Sequence, residues 1–135
     1  MKTYRVIIEK GKDGVFHAYN DDTDAGVFCG HGGTPQEAKA DFLASLKEVA
    51  EMKREEGKPL PEFCSMEPEY VYDVASFLSA YDVINVSALA RRMGINESLM
   101  RQYKAGKAYL SAAQMSRIAD GIHQLGSELA SLRIV

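Results

Sequence analysis

Hydrophobic and polar positions in the first 20 residues follow the period of two expected of half-buried strands. "TYRVIIE" (3–9) and "VFHAYN" (15–20) are β-branched and aromatic, and turn-forming "KGKDG" separates them, so residues 3–20 predict a β-hairpin. "GVFCGH" (26–31) predicts a third strand. The period then lengthens. Ala38, Phe42, Leu46, Val49 and Met52 are spaced by four, four, three and three, the stripe of one long amphipathic helix. Thr34, Pro35 and Glu37 form a capping box at its start, and Gly57 suits the residue after its end. "GKPLPEFCSMEPE" (57–69), with three prolines, reads as a connection, and "YVYDV" (70–74) as a fourth strand. The order is β-β-β-α-β. One helix covers one sheet face, so the other face is expected to be bare and to offer apolar contact area to a partner.

From residue 74 the helical period dominates. Val74, Phe77, Leu78 and Tyr81 predict a short helix, which places a domain boundary between residues 1–74 and 75–135. "NVSALARRM", the turn "GI" and "NESLMRQYKAG" predict two short helices joined tightly, with Leu89 and Met93 inward, Gly94 ending the first and Asn96 capping the second. On that second helix Leu99, Met100 and Tyr103 share one side, and Ser98, Arg101, Gln102 and Ala105 share the other. Ser111 and Gln114 cap a last helix. Its apolar series Met115, Ile118, Ile122, Leu125, Leu129 and Leu132 outruns the core of so small a domain, and Leu125, Leu129 and Leu132 are expected to meet a second copy.

Charge divides the chain at the same place. Residues 1–69 carry 14 acidic and 9 basic side chains, net −5, whereas residues 83–135 carry 3 and 7, net +4. Between residues 91 and 107, Arg91, Arg92, Arg101, Lys104 and Lys107 face one acid, Glu97, a concentration suited to phosphate. Arginine can bond guanine bidentately and glutamine adenine, while small Ser98 and Ala105 allow close approach to a major groove. Asn96, Ser98, Arg101, Gln102, Lys104 and Lys107 are therefore the candidate DNA contacts.

Composition, 46% hydrophobic over 135 residues, gives a globular chain, and the order of predicted elements makes its expected class α+β. No apolar run approaches the roughly 18 residues of a membrane span, and the N-terminus lacks a signal-peptide pattern, so the expected location is the cytoplasm. Cys29 and Cys64 are expected to be free thiols. The glycine-rich "CGHGGTPQE" lacks the lysine followed by Ser or Thr of a nucleotide loop, and its polar groups are used in starting a helix. His17, Cys29 and His31 fall on adjacent strands without the spacing of a metal motif, and "TYRVII" has no carboxylate for two-metal hydrolysis. No catalytic residue, metal or cofactor is assigned. Asp21, Asp22 and Asp24 fit an ordinary turn.

Two stretches resemble known families. "SALARRMGINESLMRQYKAGKAYLSAAQMSRIADGI" resembles the helix-turn-helix of phage-repressor-like regulators, with "NESLMRQYKAGK" as recognition helix and following loop. The β-β-β-α-β unit, above all "GVFCGHGGTPQEAKADFLASL", is similar to the partial ribonuclease-H-like domain of HicB antitoxins. The resemblance implies an N-terminal toxin-binding domain and a C-terminal all-α helix-turn-helix domain. It further implies a HicA-like toxin that cleaves messenger RNA, autoregulation at operator DNA, and no catalysis by this chain. Such a toxin presents a basic surface, which gives Asp21, Asp22 and Asp24 a role as toxin contacts. A homodimer or higher homo-oligomer, without a membrane, is expected. The alternatives are a stand-alone or metabolite-sensing repressor, and a ribonuclease-H-like nuclease.

Overall fold

The computed structural model describes residues 2–21 and 26–135. Its class is α+β. Strands β1 (Thr3–Lys10), β2 (Phe16–Asn20) and β3 (Cys29–Gly32) precede helix α1 (Pro35–Glu55). A 3-10 turn (Glu62–Ser65), strand β4 (Glu67–Tyr72) and helix α2 (Val74–Ala80) follow. Helices α3 (Val86–Met93), α4 (Glu97–Lys104) and α5 (Ala112–Ser131) complete the chain. Two compact units divide after Ala80, six residues beyond the expected boundary. The reason is local: the Lys10 amide donates to Ser76 Oγ at 2.9 Å, which ties α2 to the sheet unit.

In the first unit the sheet order is β3-β2-β1-β4, antiparallel except for the parallel β1–β4 pair. Alternation decides the faces. Tyr4, Val6 and Ile8 of β1, with Phe16 and Ala18 of β2, are buried with Ala38, Phe42 and Leu46 of α1. Val49 packs half-buried against this core as expected, whereas Met52 is exposed and Ala50 takes the next buried position, four residues after Leu46. Thr34 Oγ1 accepts from the Glu37 amide at 3.1 Å and Glu37 Oε2 accepts from the Gly33 amide at 2.8 Å, which fixes where α1 begins.

The glycines of "CGHGG" (29–33) have a packing reason. A Cβ on Gly30 would lie 2.2 Å from the Phe42 amide nitrogen, and one on Gly32 2.4 Å from Glu37 Cβ, so α1 rests directly on the backbone of β3. The strand itself is shorter than expected. Phe28 precedes it and turns into the core, where Asn20 Oδ1 accepts its amide at 2.7 Å. The proline-rich connection contributes more than a link: Phe63 is buried, stacks on Tyr4 at 4.6 Å between centroids and meets Phe28 edge-on at 5.9 Å.

The second unit is helical. Its buried side chains are Leu89, Ala90, Ile95, Met100, Tyr103 and Ile118. Asn85, Asn96 and Ser111 each accept, with a side-chain oxygen, the amide three residues on, so each helix start is satisfied within three residues. Gly94 has φ of 69°, and the amides of Ile95 and Gly94 donate to the carbonyls of Ala90 and Arg91. That closed turn allows α4 to begin two residues later.

Candidate functional site

The surface that gathers the expected DNA contacts is the outer side of α4. Met100 and Tyr103 fix the inner side by burial, and Gln114 Nε2 donates to the Tyr103 hydroxyl at 3.4 Å across from α5. The helical period then leaves Ser98, Arg101, Gln102 and Ala105 exposed. Asn96 sits at the N-terminus of α4, its Oδ1 held by the Leu99 amide at 3.0 Å. Lys104 is half-buried at the C-terminal turn, and Lys107 is exposed just beyond it.

Ion pairs sort the five cations of this region. Arg91 is paired with Glu97 across the turn, and Arg92 with Glu128 of α5. Arg101 donates Nη1 to the neutral Ser87 Oγ at 3.0 Å, and no carboxylate of the described residues pairs with it, Lys104 or Lys107. Among the described residues these three of the five cations have no ion-pair partner, and all three lie on α4 and the loop after it. Local concentration of basic residues could not reveal this division, since the partners of Arg92 and Arg101 lie 36 and 14 residues away. In the same loop Tyr109 is 89% exposed.

No family model, curated protein or solved structure matches the chain.

The sheet unit presents the second candidate surface, the face opposite α1. Registers place Thr3, Arg5, Ile7 and Glu9 of β1 beside His17 and Tyr19 of β2, Cys29 and His31 of β3, and Glu67, Glu69 and Val71 of β4. This face is polar and acidic rather than apolar. Strand alternation put Ile7 and Val71 there as its aliphatic members, and both are half-buried. Asp21 is exposed and pairs with Arg5 at 3.5 Å. Asp22 and Asp24 lie outside the described residues.

Tyr19 donates its hydroxyl to Glu9 Oε1 at 2.6 Å. That bond to a carboxylate, then burial and the nearby charges of Glu9, Asp73 and Asp21, push its phenol up to about 12. Glu9 is the one carboxylate of β1 after the hydrophobic run, and Tyr19 engages it. Among the described residues no group of three His, Cys, Asp or Glu side chains is arranged to hold a metal ion. His17 and His31 do meet, with Nδ1 atoms 2.7 Å apart.

On α5, Ile118 is buried and Ile122 and Leu125 are half-buried, whereas Leu129 is 58% and Leu132 60% exposed. The helix ends at Ser131, so Leu132 stands just past it. An open groove of about 490 Å³ between α3 and α5 is lined by Arg92, Arg117, Asp120, Ser116 and Gln124 among others. Its polar walls do not suit an apolar effector. No helix of the described residues is long and apolar enough to cross a membrane.

Proposed function

We propose that the chain is a HicB-like antitoxin: the α4 unit represses transcription as a helix-turn-helix, and the sheet unit occludes a basic, RNA-cleaving toxin. The observation that carries the reading is the outer side of α4. It sets Arg101 and Gln102, the two side-chain types that read guanine and adenine edges, beside small Ser98 and Ala105, with unpaired Lys104 and Lys107 at its end. In this reading Arg101 and Gln102 enter the major groove, the two lysines hold phosphates, and Asn96 and Ser98 approach the backbone at the helix N-terminus. The closed turn at Gly94 and the α4 cap are the local features a helix-turn-helix requires.

The sheet unit enters the proposal through its order of elements and its charge. A four-stranded sheet with one covering helix is compatible with the partial ribonuclease-H-like domain that the sequence resembles. The acidic face carrying Glu9, Glu67 and Glu69, extended by Asp21, complements a toxin that must itself bind RNA. These carboxylates, and not an apolar sheet face, supply the recognition. Exposed Leu129 and Leu132, continuing from Leu125, would pair two copies and so two recognition helices on half-sites about one DNA turn apart.

The test compares Arg101→Ala with Lys107→Ala on DNA from the gene's own upstream region and on random DNA. Loss of a base contact should lower discrimination by about 1–3 kcal/mol, whereas loss of a phosphate contact should weaken both DNAs alike. Equal, sequence-independent losses for both variants would remove Arg101 from base reading.

A further inference from the structure

The geometry points to a surface site for a divalent, imidazole-preferring transition ion, Zn²⁺, Ni²⁺ or Cu²⁺, held between His17 and His31 on the open face of the sheet. The two residues are direct partners in the β2–β3 ladder, so their side chains leave the same face from opposed backbone positions. Their rings are nearly perpendicular, 79°, with Nδ1 facing Nδ1 at 2.7 Å. Two basic lone pairs converge there, and one proton must lie between them for the contact to be favourable. A metal ion can take the place of that proton once the two exposed rings swing slightly apart. At metal–nitrogen distances near 2.1 Å and a tetrahedral angle, two ligand nitrogens stand about 3.4 Å apart, so the pair would open by about 0.7 Å. The displaced proton moves to the outer nitrogen of its own ring, so the neutral pair binds the ion without a net change in protonation.

The surroundings of His17 fit that exchange. Asp13 Oδ1 lies 4.0 Å from His17 Nε2, the nitrogen that would carry the proton once Nδ1 is a ligand. A carboxylate behind a ligating imidazole fixes its tautomer and raises its basicity. Asp13 is held in place, because the same Oδ1 accepts the Val15 amide at 3.0 Å. Gly11 makes room for both groups: a Cβ there would lie 2.8 Å from Asp13 Oδ1 and 3.1 Å from His17 Nε2. The other ligand, His31, sits on a strand anchored to α1 by the His31 amide donating to Asp41 Oδ2 at 2.8 Å. Two protein nitrogens form the site and water completes it, which gives an open, exchangeable ion on the acidic face. Neither the DNA nor the toxin reading enters this inference.

Calorimetric titration of the tag-free full chain with Ni²⁺ and with Zn²⁺, and with Mg²⁺ as the oxygen-preferring control, tests it. One equivalent of Ni²⁺ or Zn²⁺ should bind, Mg²⁺ should not, and His17→Gln and His31→Gln should each weaken binding at least about tenfold. Asp13→Asn should leave the stoichiometry at one and lower affinity by about 10- to 100-fold. Both histidines are on the surface, and metal-free melting curves check that the variants fold. Nickel should also broaden amide signals of β2 and β3 before any others. Undiminished binding by His17→Gln/His31→Gln, nickel broadening centred elsewhere, or no binding at about millimolar metal would each overturn the site.

Discussion

Substitution of Gly30 by alanine adds one carbon at the place where β3 and α1 touch. That carbon would lie 2.2 Å from the Phe42 amide nitrogen, 2.6 Å from the Ala38 carbonyl oxygen and 2.7 Å from Phe42 Cα. All three are backbone atoms of one helix, so no rotamer change relieves the clash. Ordinary nonbonded contact begins near 3.5 Å, and α1 would have to withdraw by about 1.3 Å. Ala38 and Phe42, both fully buried, would lose packing against the sheet as it moved. Overpacking costs about 1–3 kcal/mol and this case belongs at the upper end. For a unit of 80 residues, about 3 kcal/mol lowers the melting temperature by about 12–24 °C. Gly33→Ala is the control, since its Cβ would meet only the flexible Glu37 Oε2, at 3.3 Å. Circular dichroism gives the melting curve, and hydrogen exchange of the amides in residues 3–50 separates this unit from the second. A Gly30→Ala protein as stable as Gly33→Ala would refute the close helix–strand contact.

Two further outcomes follow from particular side chains. Glu9→Gln should bring the Tyr19 phenol down from about 12 toward the ordinary 10.0, read by ultraviolet titration, since the bond to Glu9 is the largest cause of the rise. A raised phenol favours the fold below pH 10 and loses that contribution as pH climbs to about 12, so wild type should weaken across that window more than Glu9→Gln does. An unchanged high-pH titration in Glu9→Gln would sink this assignment. The proposed pairing predicts that wild type sediments as a dimer and Leu129→Glu, at the same concentration, as a folded monomer; a variant that stays dimeric would move the interface away from α5.

Local chemistry was legible in the sequence, and chemistry that depends on distant partners was not. Thr34, Asn96, Ser111 and Gly94 act on amides within a few residues, so their roles as caps and turn could be read directly. The succession β-β-β-α-β along the chain followed from the change of hydrophobic period, whereas the sheet order β3-β2-β1-β4 did not. The core function of Phe63 was hidden by three prolines that mark a connection whether or not it carries an anchor. The close contact of Gly30 and Gly32 with α1 could not be read, because it depends on where that helix lies. The pairing of Arg92 with Glu128 and the meeting of His17 with His31 both depend on register, which spacing along the chain does not encode. The open face was expected to be apolar from helix coverage alone; the alternation of Arg5, Glu9, Glu67 and Glu69 made it charged.

The central proposal, that this chain silences an RNA-cleaving toxin, is tested most directly by RNA cleavage. The proposal requires a small basic protein encoded beside the gene; the product of each neighbouring reading frame that fits is incubated with messenger RNA alone and with saturating amounts of the full chain. The expected result is cleavage by the basic protein alone and its suppression at one-to-one stoichiometry, with association slowed by salt as opposite charges are screened. Cleavage that continues at full rate beside saturating chain would contradict the antitoxin reading.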